Sequence, residues 1–423
     1  MVINREHLRV CLDARLIGGM PGGVEQVIIG LASGLSTLTD GLEEYLFLTY
    51  AGADEWIRPY LRGPCRILTG PAAPRQPMWK QWVGSTLPAV RDAWHRLGLL
   101  RRWRCVSLRR SDGTIEKNNI HIMHFTKQSA FFTDVPSIYH PHDLQHLHLP
   151  QLFSQEARIA REVRYRRFCE QARMVAVTST WVKRDLIRHY GLPESKVQVV
   201  PWASVLSAYP SPSPEDLAAA RQKFCLRDPF IFYCAQTWAH KNHIGLLEAL
   251  ATLGERCGVT VRLVCCGRLT DFFPKIERRT RELGLSDQVQ FLGFVSPLEL
   301  QCLYKLCRCL CNPTKFGAAS FPLWEAFEAG VPVACSNVTS LPEQAGDAAL
   351  IFDPNRPDQI AEAIRRLWTD EKLRRTLVER GKRRVSRFTW DRTARMFRAH
   401  YRRLANRPLT EEDRSLLASP PLL

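Results

Sequence analysis

The stretch Leu8–Leu35, LRVCLDARLIGGMPGGVEQVIIGLASGL, reads as a strand, a glycine loop and a helix in direct succession. Leu8–Leu12 is a short apolar run, and the loop after it holds Gly18, Gly19, Pro21, Gly22 and Gly23. Beyond the loop, Val24, Val27, Ile28, Leu31 and Leu35 recur at helical spacing, which predicts a helix over Val24–Leu35 with one apolar face. A strand that turns through glycines into a helix is the opening unit of a parallel α/β sheet.

The same alternation continues outward. Short apolar runs bounded by turn residues fall at Tyr45–Thr49, Ile120–His124, Ser137–His140, Met174–Thr178 and Val197–Pro201. A Pro/Ser-rich hinge, Tyr209–Pro214 (YPSPSP), follows, and then the pattern restarts. Strands are expected at Phe230–Cys234, Arg262–Cys266, Val289–Leu292, Cys307–Cys311 and Val333–Cys335, with helical stretches between them. A chain of 423 residues exceeds what one core ordinarily holds, which is about 250 to 300 residues. The expected fold class is therefore α/β, with two Rossmann-like, doubly wound lobes facing a cleft. The first lobe is expected over 1–197 and the second over 198–387, with a C-terminal helix over 388–408 rejoining the first.

Charge and composition narrow the partners. The net charge of +17 predicts an anionic partner: nucleic acid, a phosphorylated ligand or a membrane surface. Between Arg75 and Arg110 nine basic residues face one acidic residue, Asp92, and Trp79, Trp82, Trp94 and Trp103 interleave them. Indoles beside arginines suit an interfacial segment, so Trp79, Trp82, Arg101, Arg102, Trp103 and Arg104 are the expected membrane contacts. A solvated helix face with buried tryptophans is the alternative. No nucleic-acid module signature is present, so nucleic acid is not an expected partner. No apolar run reaches the roughly 18 residues of a spanning helix, and Met1–Arg9 has no apolar signal core. The expected location is cytoplasmic, peripheral at the inner face of the plasma membrane. The 14 cysteines lack zinc-site spacing and read as small buried hydrophobes in a reducing compartment.

Three junctions hold the candidate chemistry. In Phe316–Gly330, FGAASFPLWEAFEAG, the small residues Gly317, Ala318, Ala319 and Ser320 and then Phe321 precede Pro322, which favours a helix start. A diphosphate can approach such a backbone closely, and the helix N-terminus offers unpaired amides. Glu325, about one turn in, is placed to accept hydrogen bonds from a sugar or ribose diol; its bland alternative is a favourable acid in a first turn. His240-Lys241-Asn242 opens a helix after Phe230–Cys234, where Lys241 is a point charge for phosphate. Gly22-Gly23 offers a third backbone cradle. Finally, His140, His142, His146 and His148 crowd one short run with Asp143; the proline break argues against a closed metal site, and a cleft-lining His142–Asp143 pair is preferred.

In order along the chain, Gly22-Gly23-Val24-Glu25, His142-Asp143-Leu144, Val177-Thr178-Ser179, Trp181-Val182-Lys183, Val199-Val200-Pro201 and His240-Lys241-Asn242 resemble the landmarks of glycosyltransferase family 4. The resemblance continues through Phe291-Leu292-Gly293-Phe294-Val295, Pro322-Leu323-Trp324-Glu325-Ala326, Gly330-Val331-Pro332-Val333, Leu341-Pro342-Glu343 and Gly346-Asp347-Ala348-Ala349. It implies the GT-B fold and a retaining, metal-independent hexosyl transfer from a nucleotide-sugar co-substrate, with no cofactor. By that likeness Glu325 holds the donor ribose, Lys241 grips the diphosphate, Gly23 approaches the phosphates from the other lobe, and His142 sits by the transferred sugar. Two departures stand out. Gly317 occupies the place of the family's first motif glutamate, and Gln236 that of an arginine accompanying the lysine, which implies a variant donor site. The expected acceptor is a saccharide, lipid-linked rather than free, in envelope polysaccharide assembly. A nucleotide-sugar epimerase of the same fold and a non-catalytic nucleotide-sugar or membrane-docking protein are the alternatives.

Overall fold

The computed structural model describes residues 7–16, 22–73, 106, 108–227 and 229–420. Trp79, Trp82, Arg101, Arg102, Trp103 and Arg104 lie outside the described residues. Among the described residues no helix is long and apolar enough to cross a membrane.

In chain order the strands of the first lobe are β1 (Leu8–Asp13), β2 (Glu43–Ala51), β3 (Cys65–Ala72), β4 (Ile122–Phe125), β5 (Ser137–Tyr139), β6 (Met174–Val177) and β7 (Val197–Val199). They form one sheet in the order β3-β2-β1-β4-β5-β6-β7, paired in parallel throughout. The second lobe holds β8 (Phe230–Cys234), β9 (Arg262–Cys266), β10 (Val289–Phe291), β11 (Cys309–Asn312), β12 (Val333–Ser336) and β13 (Ala349–Phe352). Their order is β10-β9-β8-β11-β12-β13, again all parallel. Each sheet reverses its winding beside its first strand, and ligands bind α/β sheets at such a switch point, beyond the carboxyl ends of the strands.

β7 belongs to the first sheet, so that sheet ends at Val199 rather than at residue 197. The returning helix is Trp390–Leu404, and a further helix, Glu411–Ala418, follows it. Its contact with the helix Gly23–Leu35 depends on a missing side chain: a Cβ at Gly30 would lie 1.9 Å from the Trp390 ring. Buried charge fixes the same helix further along. Arg402 donates from Nε to Glu43 Oε1 at 2.7 Å and from Nη1 to Asp413 Oδ2 at 2.8 Å.

The lobes meet along one seam. Two backbone amides at the start of the helix Thr180–Tyr190 donate to the Glu343 carboxylate of the second lobe, Thr180 at 2.7 Å and Trp181 at 3.0 Å. Nearby, Thr178 Oγ1 donates to the Ala318 carbonyl at 3.1 Å, and the Trp202 and Phe321 rings stack at 5.6 Å. Each cysteine among the described residues is free; those on β9, β11 and β12 are buried, as their apolar reading requires, whereas Cys225 and Cys257 are exposed and depart from it.

Candidate active site

Between the lobes, at the carboxyl ends of β8, β9 and β11, lies a cavity of about 530 Å³. Gly22 and Gly23 form its first-lobe wall with Gln26 and Gln128. The opposite wall carries Gln236, Lys241, Gly317, Ala319, Ser320, Phe321 and Glu325. Each element delivers its residue for a local reason. Lys241 closes a single 3₁₀ turn, Ala239–Lys241, between β8 and the helix His243–Cys257. That turn is held by Tyr233, whose hydroxyl donates to the Lys241 carbonyl at 2.7 Å, and Asn242 takes a left-handed conformation (φ 59°) to start the helix. Burial pulls the Lys241 ammonium below its ordinary range, and Asp143 of the first lobe partly restores it. Asp143 is itself raised by burial. The lysine is thus a desolvated cation facing the cleft.

Glu325 sits in the helix Phe321–Glu328 and is 1% exposed. Its Oε2 accepts from Tyr304 Oη at 2.7 Å and its Oε1 from Gln26 Nε2 at 3.1 Å. Burial raises its carboxyl to about 7, against the pull of these two hydrogen bonds. It is poised between a donor and an acceptor at neutral pH.

The loop before that helix is less open than its small residues suggest. The Ser320 amide donates to Gln344 Oε1 at 2.9 Å and the Gly317 amide to Thr339 Oγ1 at 3.3 Å, so these two are already engaged. The amides of Ala319 and Phe321 have no protein acceptor among the described residues. Ala318 is off the cavity wall; its carbonyl is turned to Thr178 and Ser340.

His142 is off the wall as well. It adopts a left-handed backbone (φ 64°), its Nε2 lies 3.1 Å from the Thr126 carbonyl, and its ring packs 5.4 Å from that of Trp202. Burial lowers its imidazole to about 4, so it is neutral at pH 7 and donates to Thr126. Trp202, which stacks on Phe321, thus connects His142 to a residue of the cavity wall. The other histidines of the run go elsewhere: His140 to His124 at 2.7 Å and His146 to Glu162 at 3.0 Å. His148, Asp185 and His189 form the one group of potential metal ligands among the described residues, linked at 2.8 and 3.1 Å, and lie off the cavity wall.

Several wall residues escaped the sequence reading. Gln26 and Gln128 carry no recognisable spacing. Arg268, directly after β9 and Gly267, is a second cation on the wall, and its place beyond the carboxyl end of a strand is the signal that would have found it. Trp238 and Phe294 are 43% and 61% exposed and line the same cavity, which offers a ring face for a planar base.

Comparison with known proteins accounts for this arrangement. The family model Glycosyltransferase Family 4 matches residues 21–203, and the model Glycosyl transferases group 1 matches residues 217–384, one on each lobe. Over 227 residues the chain is 30% identical to the O-antigen chain mannosyltransferase B of Escherichia coli, a match of 52% of this chain and 58% of that one. The chain thus spans little more than half the length of that relative. In fold it superposes on Anabaena HepE, crystallised with UDP and glucose, with a TM-score of 0.67 at 18% identity over 93% of this chain and 99% of that one. WaaG, a glycosyltransferase involved in lipopolysaccharide biosynthesis, gives 0.63 at 17% identity over 93% and 99%. The two parallel sheets and their shared cavity are the GT-B fold, and the chain belongs to glycosyltransferase family 4.

Proposed function

We propose that the protein is a retaining hexosyltransferase, carrying a sugar from a nucleoside-diphosphate sugar to a hydroxyl of a saccharide acceptor without a metal cofactor. The observation that carries this reading is the convergence on one interlobe cavity of a desolvated lysine, a buried glutamate and exposed aromatic rings. In this reading the diphosphate lies against Lys241 and Arg268, facing Gly22-Gly23 and the amides of Ala319 and Phe321. Arg268 takes the place of the cation missing at Gln236. The ribose diol donates to Glu325 in its ionised form, and the base stacks on Trp238 or Phe294. His142 acts as a positioning residue, fixing Trp202 behind Phe321.

Charge flow sets the mechanism. The bond between the sugar C1 and the phosphate oxygen breaks, negative charge gathers on the diphosphate, and Lys241 and the amides stabilise it. The acceptor oxygen bonds to C1 on the same face while its proton passes to the departing phosphate oxygen. The anomeric configuration is kept.

The O-antigen mannosyltransferase relative supports a mannosyl donor and an envelope polysaccharide product. The basic, tryptophan-rich segment between Arg75 and Arg110 supports a lipid-linked acceptor at the inner face of the plasma membrane. The test is a thermal-shift screen with GDP-, UDP- and ADP-sugars, beginning with GDP-mannose. A ligand at a hundred times its Kd stabilises the folded state by about 2.7 kcal/mol. One nucleotide series is expected to raise Tm, and the shift to vanish in Lys241→Ala and Glu325→Ala. No shift with any donor sinks the reading. Product formation that stops in EDTA and returns with Mg²⁺ sinks its metal independence.

A further inference from the structure

A second cavity, of about 420 Å³, opens at the carboxyl ends of β1 to β4 in the first lobe. Its floor holds a buried charge group that does not balance. Arg15 donates from Nε to Asp13 Oδ1 and from Nη2 to Asp13 Oδ2, each at 2.9 Å, and Lys127 Nζ lies 3.4 Å from Asp13 Oδ1. Two largely buried cations share one buried carboxylate, since side-chain exposure is 16% for Arg15, 14% for Lys127 and 1% for Asp13. Burial lowers the Lys127 ammonium, and Asp13 opposes the shift. An unbalanced buried charge is costly unless an anion completes it. The rim adds cations: among the described residues Arg109, Arg110 and Arg164 are exposed there, against Asp112 alone.

This cavity adjoins the donor cavity. Gln128 lines the donor wall while Lys127 and Ser129, its chain neighbours, line the second cavity. Consecutive Cα atoms lie about 3.8 Å apart, so the two cavities share the segment after β4 as a common wall. A molecule in the second cavity is therefore within reach of a sugar in the first.

We infer that the second cavity binds a phosphoryl group of the acceptor, with Arg15 and Lys127 as its floor and Arg109, Arg110 and Arg164 as its rim. The inference rests on the transfer reading above and adds a substrate class to it: the acceptor is a phosphate- or diphosphate-bearing saccharide. Arginine forks and a lysine point charge together suit phosphate oxygens. The phosphate belongs either to a lipid diphosphate carrier or to a soluble sugar phosphate, and the chemistry of recognition is the same for both.

The probe is inorganic diphosphate, titrated calorimetrically into the full-length protein already saturated with the nucleoside diphosphate found in the donor screen. One further site is expected. Loss of a charge-assisted hydrogen bond, about 1.5 to 3 kcal/mol, corresponds to a tenfold or larger weakening. That weakening is expected in Arg15→Gln and Lys127→Gln, while nucleotide affinity stays as in the wild type. Arg15→Gln leaves Asp13 short of a partner and is the variant at risk of misfolding, so exposed Arg109→Gln with Arg164→Gln is run beside it and is expected to weaken binding and flatten its salt dependence. Decyl phosphate and mannose 6-phosphate separate the two sources, the tighter ligand naming the carrier or the soluble sugar. No diphosphate binding beside bound nucleotide overturns the inference and leaves the transfer reading standing, as does decyl mannoside binding as well as decyl phosphate. If no nucleotide binds, the transfer reading fails, and diphosphate titrated alone into Lys241→Ala still decides whether the second cavity is an anion site.

Discussion

Gln26 of the first lobe donates its side-chain amide to Glu325 of the second across 3.1 Å, and so bridges the cleft at the carboxylate proposed to hold the donor ribose. The bond occupies one carboxylate oxygen while Tyr304 occupies the other. A ribose diol entering the cavity must displace Gln26 or join it. The carboxylate that ties the lobes together is thus the one a donor diol has to share or take over.

The pH dependence of donor binding follows from Glu325. Burial raises its carboxyl from an ordinary 4.5 to about 7, so its contribution to stability is fully present below about 4.5 and is lost as pH rises through about 7. Donor binding runs the other way, because the diol needs the ionised acceptor. Affinity is expected to rise up to about tenfold per pH unit below about pH 7 and to level off above it. Glu325→Gln is expected to remove the slope. Calorimetry at pH 5.5, 7.0 and 8.5 measures it, and a flat wild-type profile would discard the ribose role.

Lys241→Ala is expected to lower kcat by roughly 10²- to 10³-fold, the usual cost of losing one preorganised stabiliser of developing charge. Lys241→Arg keeps the charge but exchanges a compact ammonium for a broad fork, and an intermediate rate is expected. Initial rates at saturating donor separate this effect from weaker binding. A kcat unchanged in both variants would remove Lys241 from the chemistry.

Gly30→Ala places a methyl 1.9 Å from the Trp390 ring, which is backed by the body of the returning helix. Overpacking of this kind costs about 1 to 3 kcal/mol, and more where neighbours cannot shift. Urea unfolding should show a lower midpoint with little change in slope. Gly52→Ala is the control: its added methyl meets open space, and its left-handed backbone (φ 71°) is the only strain.

The architecture was legible because each β-to-α junction repeats one signal, an apolar run ended by glycine or a polar turn, from Leu8 through Cys335. The strand Cys65–Ala72 and the strand Ala349–Phe352 were not, since their faces are only partly buried and Gly70 and Pro71 read as a turn. Of the site, Lys241, Glu325 and Gly22-Gly23 were legible as residues at junctions. His142 was legible as part of a motif, but its left-handed backbone, which aims the ring toward Thr126 and Trp202, leaves no trace in spacing. Arg15 and Lys127 were illegible for a different reason: 112 residues separate them, and only the β1–β4 pairing brings them together.

That same dependence on distant pairing governs the C-terminal helix. Arg402 is clamped between Glu43, at the start of β2, and Asp413, in the last helix, and all three side chains are buried. Removing one member of a buried ion network leaves the others uncompensated, at a cost of about 3 to 5 kcal/mol. Arg402→Ala is therefore expected to destabilise strongly, and to do so by releasing the helix Trp390–Leu404 from the first lobe. Limited proteolysis should then cut near Ala405, which the wild type resists. Because the penalty comes from the orphaned carboxylates, Arg402→Met combined with Glu43→Gln is expected to be more stable than Arg402→Met alone. If instead the two changes add, the clamp works by packing rather than by charge.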